Sequence, residues 1–352
     1  MPALRPRRRD VFAGGLALVG LGAAGCAPRV GPRPNSGPLN VRLLADGLPS
    51  LADRARPGLL NLAVMEVGGG APFVADPAGL YPLAGLAKLP VVAATLARVD
   101  AGRLRLNTRI ELTAADLAPP PSRINAELLK RPGGGVLALP VADLISLAIQ
   151  QDDSTASDIL LRMIGGPAAV TAWIQGRGVA GLRVDRSERD RLCDLFATGP
   201  FKPDWASPEA WASAREAADP AVRQGAMDAY LADPRDTATA PGALDFLNRL
   251  ATGALLLANS GQFLLSLMKG SAPASGLAAG MPVDAVLAHK VGATPTALGF
   301  TTAADELAIV TLAGGARLAV AAFLAGSTAT ALARADLFAG LGALVTRAMN
   351  PT

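Results

Sequence analysis

The sequence has very few of the residues that bind metals or form cross-links. Its 352 residues include two cysteines, Cys26 and Cys193, and a single histidine, His289. One possible cysteine pair cannot supply a disulfide framework, and one histidine excludes zinc sites that need several. A Ser-His-Asp triad would depend on His289 alone. We therefore expect no metal, no cofactor and a fold that is stabilised by packing.

Charged and aromatic residues are also scarce, at 18% and 4%, whereas hydrophobic residues make up 51% of the chain. This composition is sufficient to bury a large core. The formal net charge of +4 comes mostly from arginines before residue 10, because 29 basic and 28 acidic residues remain after residue 26. A nearly neutral body without a run of lysine or arginine excludes an electrostatic surface for nucleic acid.

Residues 1–27 have the anatomy of an export signal: a basic start, an apolar stretch and a small-residue sequence, AAGCA. The pair Arg8 and Arg9 is similar to a twin-arginine signal, and AAGC is similar to a lipoprotein cleavage box in which Cys26 is lipidated. Ordinary cleavage without lipidation is the alternative. Residues 28–39 are rich in proline and glycine and are expected to form a tether. We expect export to the periplasm or cell envelope, with Cys26 as the only link to a membrane.

Strand-like patterns lie at both ends of the remaining chain. The apolar run 59–67 is followed by three glycines, and two apolar runs near the C-terminus are separated by the hairpin signal AGGA at 313–316. Helical spacing dominates between about 100 and 255, and it predicts helices at Val141 to Gln150, Thr155 to Ile164 and Pro167 to Gly176. A polar insertion at about 200–236 is expected to add short surface helices. We predict an α/β (α+β) domain over 40–350, with an antiparallel sheet from both ends, flanking helices and an inserted all-helical subdomain. A cleft is expected where the two parts meet.

Four short segments combine polar residues with small ones in a fixed order. They are YPLAGLAKLP with Gly85 and Lys88, QQDDSTASDILL with Asp152 and Ser154, DRSERDRL with Glu188, and AHKVGATPT with Lys290, Val291, Gly292 and Ala293. In order and spacing they resemble the S-x-x-K, S-D-N, Ω-loop glutamate and K-T-G segments of class A β-lactamases and related penicillin-recognising serine hydrolases. The resemblance runs from about residue 40 to 350. It implies a β-lactamase/transpeptidase-like fold with a cleft for β-lactams or peptidoglycan peptides.

The first two segments differ from this family where acyl transfer needs a hydroxyl group. The resemblance places the nucleophilic serine at Gly85, one helical turn before Lys88, and glycine has no hydroxyl. It places the first serine of S-D-N at Asp152, whose carboxylate would keep Lys88 protonated and therefore a poor base. The resemblance places the family's aspartate at Asp153. The alternative is that Asp152 and Asp153, the second in particular, are only helix N-caps before Thr155. Ser154 could border the cleft. We expect the ordinary mechanism to be disabled.

The third segment carries a candidate general base. Asp185, Arg186 and Glu188 resemble the Ω-loop pattern whose glutamate orients the deacylating water. The alternative is that Glu188 is an exposed charge in the charged run 185–190. Where the resemblance predicts Leu-Asn shortly afterwards, this chain has Arg-Leu-Cys, so the geometry for positioning a water is expected to differ.

The fourth segment implies ligand recognition. Lys290 would attract a ligand carboxylate, and Gly292 would allow a ligand to approach the backbone. Val291 replaces the family's threonine and lacks its hydrogen-bond donor. The resemblance assigns the oxyanion hole to the backbone N–H groups of Gly85 and Ala293, which do not depend on the lost side chains.

Two further features have catalytic and non-catalytic interpretations. A literal S-x-x-K occurs at Ser266 to Lys269, but it follows the second and third segments in an ordinary late helix, so we interpret it as a chance match. His289 precedes Lys290, and we interpret it as a strand residue because no other part of a histidine-based site can be named.

Three functions are compatible with these residues. The first is an exported pseudoenzyme that binds a β-lactam, a cell-wall peptide or a protein without acylation. The second is a working β-lactamase in which water activated by Glu188 attacks directly while Gly85 and Ala293 hold the carbonyl oxygen. The third is a structural envelope lipoprotein with a closed cleft.

Overall fold

A computed structural model describes residues 38–131, 135–271 and 276–349. The predicted export signal, Cys26 and most of the predicted tether lie outside these residues. No helix in the described ranges is long and apolar enough to span a bilayer. The strands are β1 (Leu59–Glu66), β2 (Phe73–Val74), β3 (Tyr81–Pro82), β4 (Arg109–Leu112), β5 (Leu137–Pro140), β6 (Thr237–Ala238), β7 (Val286–Ala293), β8 (Thr301–Thr311) and β9 (Arg317–Ser327). The helices are α1 (Val41–Ala55), α2 (Lys88–Asp100), α3 (Arg123–Leu129), α4 (Val141–Gln150), α5 (Ser154–Met163), α6 (Pro167–Gly176), α7 (Glu188–Phe196), α8 (Pro208–Glu216), α9 (Pro220–Ala232), α10 (Ala240–Thr252), α11 (Ala258–Lys269) and α12 (Ala331–Met349).

The central feature is a five-stranded antiparallel sheet in the order β2-β1-β9-β8-β7. It joins the two ends of the domain, because Leu60 of β1 pairs with Leu324 of β9. The predicted hairpin is present between β8 and β9, and Gly315 takes the left-handed φ of +79° in its turn. The prediction of an antiparallel sheet built from both ends of the chain is therefore confirmed.

Both faces of the sheet are buried, so the sequences of its long strands are nearly continuous apolar runs. In β9, Val320 and Leu324 pack into the core beneath α1 and α12, whereas Ala321 and Phe323 pack into the larger core beneath the remaining helices. The ring of Phe323 stacks on Tyr81 with 5.0 Å between centroids. This alternation is the period of two that a strand imposes on its side chains.

Helices fill the middle of the chain, and the predicted bounds of α4 and α6 match the structure. Helix α2 is central, because its first nine residues, Lys88 to Leu96, are all buried. Two short ribbons accompany the helices: β4 pairs with β5, and β3 pairs with β6. The sequence did not indicate these ribbons, since runs of two to four residues show no usable periodicity.

The two ends of the segment 183–236 lie side by side in the domain, and we call this segment the 183–236 excursion. Its ends are tied by Arg183 N–H donating to Thr237 O at 3.1 Å and by Arg186 Nε donating to Asp236 Oδ2 at 2.6 Å. It carries α7, α8 and α9, whose buried side chains form a core of their own: Leu192, Cys193, Leu195, Phe196, Trp211, Met227 and Tyr230. The insertion at about 200–236, which was expected to add short surface helices, is therefore packed against the protein, because its aromatic residues cover one face of α7.

Candidate functional site

Gly85 lies in a 3-10 turn, Ala84–Ala87, that leads directly into α2. The residue before it, Ala84, has a left-handed φ of +43°, and Leu86 N–H closes the turn on Leu83 O at 2.7 Å. A left-handed conformation at a non-glycine residue costs on the order of 1–3 kcal/mol and is retained only where the surroundings enforce it. The turn therefore keeps a strained geometry one helical turn before Lys88.

Strand β7 crosses this turn at very short range. A Cβ atom on Gly292 would lie 2.6 Å from Leu86 N and 3.0 Å from Gly85 N, so only glycine fits there. Because β7 is the edge strand of the sheet, one side of its backbone has no partner strand. The fourth segment is thereby placed against the first, as an oxyanion hole between Gly85 and Ala293 would require.

The buried centre of the site is a chain of ion pairs. Lys88 Nζ lies 3.1 Å from Asp152 Oδ1 and 3.0 Å from Glu188 Oε2, and its side chain is only 1% exposed. Lys290 Nζ lies 2.6 Å from the same Asp152 Oδ1 and donates to Val291 O at 2.9 Å. The structure thus brings together side chains from all four sequence segments.

These contacts keep the lysine charged. Burial opposes the ammonium form of Lys88, but the carboxylates of Asp152 and Glu188 outweigh it and raise the pKa above its ordinary value. Partial burial likewise opposes ionisation of Asp152, and the ammonium groups of Lys88 and Lys290 outweigh it and lower the pKa of Asp152. A lysine held as an ammonium ion cannot take a proton from a hydroxyl.

Asp152 occupies the space beside Gly85. A Cβ atom on Gly85 would lie 2.9 Å from Asp152 Oδ1 and 3.2 Å from Oδ2. Asp152 follows the end of α4 with a left-handed φ of +52°, a conformation that aspartate tolerates better than most residues. Its carboxylate therefore lies at the position where the side chain of a nucleophile on residue 85 would begin.

Glu188 is held from a second side by a residue that sequence analysis missed. Arg191 Nη2 donates to Glu188 Oε2 at 2.7 Å, and Arg191 Nη1 donates to the hydroxyl of Tyr230 in α9 at 3.1 Å. Burial opposes ionisation of Glu188, but Arg191 and Lys88 lower its pKa below the ordinary value. The only feature of the sequence that pointed to a role for Arg191 was the Arg-Leu-Cys found where the resemblance predicts Leu-Asn. Nothing in the sequence around Tyr230 indicated that it contacts Arg191.

Asp158 is a second site residue that sequence analysis missed. The backbone N–H groups of Glu188 and Arg189 donate to its carboxylate at 2.7 and 3.0 Å. Burial and the charge of Glu188 raise the pKa of Asp158 to about 7, although both hydrogen bonds favour its ionised form. Asp158 therefore fixes the start of α7 and with it the position of Glu188.

Asp153 and Ser154 serve the local structure of α5. Asp153 caps the helix by accepting from Ala156 N–H at 2.9 Å, and it also accepts from Ser122 Oγ at 2.8 Å. Ser154 is 1% exposed, and its Oγ has no hydrogen-bond partner among the described residues. That Ser154 borders the cleft stays a prediction.

The remaining sequence candidates take no part in the ion-pair chain. His289 lies within β7, buried, with Nδ1 2.6 Å from Glu306 Oε1. Ser266 and Lys269 are exposed on α11, and Ser266 Oγ donates to Phe263 O at 2.7 Å. Across the described ranges there is no group of three or more His, Cys, Asp or Glu residues arranged to hold a metal ion.

Fold and site together define a β-lactamase-type scaffold, and comparisons with known proteins agree. The sequence profile of the β-lactamase enzyme family matches residues 44–349. The chain is 25% identical over 256 residues to the extended-spectrum β-lactamase PER-1 of Pseudomonas aeruginosa, covering 73% of this chain and 71% of that protein. It is 36% identical over 151 residues to a β-lactamase of Rhodobacter capsulatus, covering 43% and 48%.

Solved structures show the same fold. A β-lactamase from Chitinophaga pinensis superposes with a TM-score of 0.69 at 26% identity, over 88% of this chain and 99% of that one. An ancestral class A β-lactamase, that of the last common ancestor of Gram-negative bacteria, gives 0.68 at 28% identity, over 87% and 99%. The chain belongs to the β-lactamase enzyme family, with class A enzymes as its structural neighbours. The fold class predicted from the sequence is confirmed.

Proposed function

We propose that this chain is a ligand-binding member of the β-lactamase family that does not form an acyl-enzyme. The observation that carries the proposal is the Asp152 carboxylate beside the vacant side-chain position of Gly85, ion-paired to both Lys88 and Lys290. Acyl transfer by this family's route needs a hydroxyl nucleophile and a base for its proton. The first is missing, and the second is held as an ammonium ion.

The proposed ligands are β-lactams or peptides similar to those of peptidoglycan. A double mutant of the ancestral class A β-lactamase is bound to 5(6)-nitrobenzotriazole, named as a transition-state analogue, so the scaffold supports small-molecule recognition in that mutant. The close approach of the turn at Gly85 to Gly292 of the edge strand β7 supports a cleft bordered by backbone N–H groups in this chain. We further propose export to the periplasm or envelope, with Cys26 as the lipid anchor.

The alternative of a hydrolase that uses water activated by Glu188 is disfavoured by the contacts of that residue. Glu188 Oε2 is ion-paired to Lys88 and Arg191, and a carboxylate whose pKa is lowered is a weaker general base. In other enzymes, catalysis that survives loss of the nucleophile is only about 10³- to 10⁴-fold over water. Such a residual rate is small for an evolved hydrolase.

The test combines turnover and binding on the purified domain. We expect no hydrolysis of a chromogenic cephalosporin above the rate of a Glu188→Gln control, together with a saturable rise in melting temperature with benzylpenicillin or a peptidoglycan fragment. Turnover that disappears in Glu188→Gln would establish the hydrolase instead. Absence of any thermal shift would favour a structural lipoprotein with a closed cleft.

A further inference from the structure

We propose that the cleft prefers ligands that present an uncharged amide, rather than a free carboxylate, to the Asp152 end of β7; this rests on the proposed ligand-binding function. The resemblance alone implied the opposite, because Lys290 stands where a carboxylate-attracting lysine is expected. The ion pairs on this surface reverse that expectation.

The charge of Lys290 is already neutralised inside the protein. Its Nζ lies 2.6 Å from Asp152 Oδ1 and 2.9 Å from Val291 O, and the residue is only 3% exposed. A ligand carboxylate would have to displace the Asp152 carboxylate to reach this ammonium group. A short charge-assisted hydrogen bond within a partly buried pair makes such a displacement unfavourable.

The exposed ionisable group of this cluster is the Asp152 carboxylate. Asp152 has 36% of its side chain exposed and Val291 is 46% exposed, whereas Lys88 is 1% exposed. Two carboxylates in one site disfavour each other's ionised forms, so a ligand anion here is repelled.

The surrounding charges do not restore an attraction for anions. Around Asp152 the two ammonium groups of Lys88 and Lys290 face two carboxylates, those of Asp152 and Glu188. Arg191 adds a third cation, because its Nη2 donates to the same Glu188 Oε2 that Lys88 contacts. These groups leave one net positive charge, but all three cations are buried and ion-paired, so the exposed charge that a ligand meets is the Asp152 carboxylate.

Asp152 also offers an acceptor suited to an amide. Both lysine contacts are made to Oδ1, which leaves Oδ2 to accept a hydrogen bond from a ligand N–H group. A carboxamide supplies that donor, whereas an ionised carboxylate supplies only acceptors. Discrimination then comes from repulsion of one ligand as well as attraction of the other.

The experiment compares ligands that differ only in this group. Isothermal titration calorimetry would measure the Kd of benzylpenicillin and of its carboxamide, and of N-acetyl-D-alanyl-D-alanine and its amide. For the unaltered protein we expect each amide to bind at least about tenfold more tightly than its acid. In Asp152→Asn, which tolerates the left-handed φ, the acids should gain at least about tenfold while the amides change by less than about threefold.

Asp284→Asn is the matched control, because it removes an exposed carboxylate before β7, at the end of the strand opposite Gly292. Its acid-to-amide ratio should equal that of the unaltered protein. Tighter binding of the acids by the unaltered protein, or an unchanged ratio in Asp152→Asn, would overturn the inference while leaving the proposed binding function in place. Failure of all four ligands to bind would overturn both. If Asp152→Asn does not fold, the Kd values of the acids and the amides for the unaltered protein still decide whether the inference holds.

Discussion

Asp152 Oδ1 lies 2.9 Å from the point that a Cβ atom on Gly85 would occupy. The carboxylate fits because residue 85 has no side chain, and it stays there because two ammonium groups hold it. A side chain at residue 85 would press on a carboxylate that cannot easily move. The absence of a hydroxyl at Gly85 and the presence of a carboxylate at Asp152 therefore depend on each other.

That coupling can be measured by a double-mutant cycle. Gly85→Ala places a Cβ within 3.3 Å of the Asp152 carboxylate and of Gly292 Cα, and we expect a loss of about 1–3 kcal/mol of unfolding free energy from the overlap. In an Asp152→Ser background the same substitution should cost less than about 1 kcal/mol. Urea denaturation of the four proteins gives the interaction term, and additive effects would contradict the coupling.

Removing the buried lysine should destabilise the domain. Lys88→Met keeps the length of the side chain but leaves Asp152 with only Lys290 and Glu188 with only Arg191, so we expect a loss of about 3 kcal/mol. Lys269→Met, on the exposed side of α11, should change stability by less than about 0.5 kcal/mol. Chemical denaturation measures both, and equal stabilities of the two variants would contradict the ion-pair chain.

Tyr230 should stabilise the site from within the 183–236 excursion. Tyr230→Phe removes the acceptor of Arg191 Nη1 inside a buried environment, and we expect a loss of about 1.5 kcal/mol. Tyr81→Phe is a suitable comparison, because its hydroxyl binds the partly exposed Asp76 at 3.0 Å and its loss should cost less. A smaller effect at Tyr230 than at Tyr81 would show that the excursion does not support Glu188 through this contact.

Stability should fall as pH rises through the range in which Asp158 titrates. Its pKa is raised from 3.8 to about 7 in the folded protein, so between these values the folded state holds a proton that the unfolded state has lost. The stabilisation present below about pH 4 is then lost as the pH approaches 7. Between pH 5 and 7.5 we expect the unaltered protein to lose about 2 kcal/mol more than Asp158→Asn does.

Comparing the unaltered protein with Asp158→Asn isolates the titration of Asp158. The buried His289 and Asp305 also have raised pKa values, but they titrate equally in both proteins. Urea denaturation at several pH values is the measurement. Parallel stability curves would show that Asp158 does not titrate in this range.

The sequence located the fold and the main site residues because their signals are local. The spacing of apolar residues predicted α4 and α6, and the order of four short segments indicated Gly85, Lys88 and Glu188. Sheet order was also predictable in part, since AGGA specifies the β8–β9 hairpin.

The contacts that decide the chemistry were not predictable in the same way. Asp152 was expected to face Lys88, but its shortest ion pair is with Lys290, 138 residues away. Arg191 and Tyr230 are 39 residues apart in the chain, and Tyr230 lies in the 200–236 insertion that was expected to add only short surface helices. No periodic pattern encodes such pairs, because they depend on how separate elements pack.

The most direct test of the account is intact-protein mass spectrometry after incubation with benzylpenicillin. The unaltered protein should keep its mass, whereas the double variant Gly85→Ser with Asp152→Ser, which supplies a hydroxyl and frees Lys88 from one carboxylate, should gain the mass of one penicillin. A covalent adduct on the unaltered protein that maps to a residue of the cleft would contradict the claim that this site has lost acyl transfer.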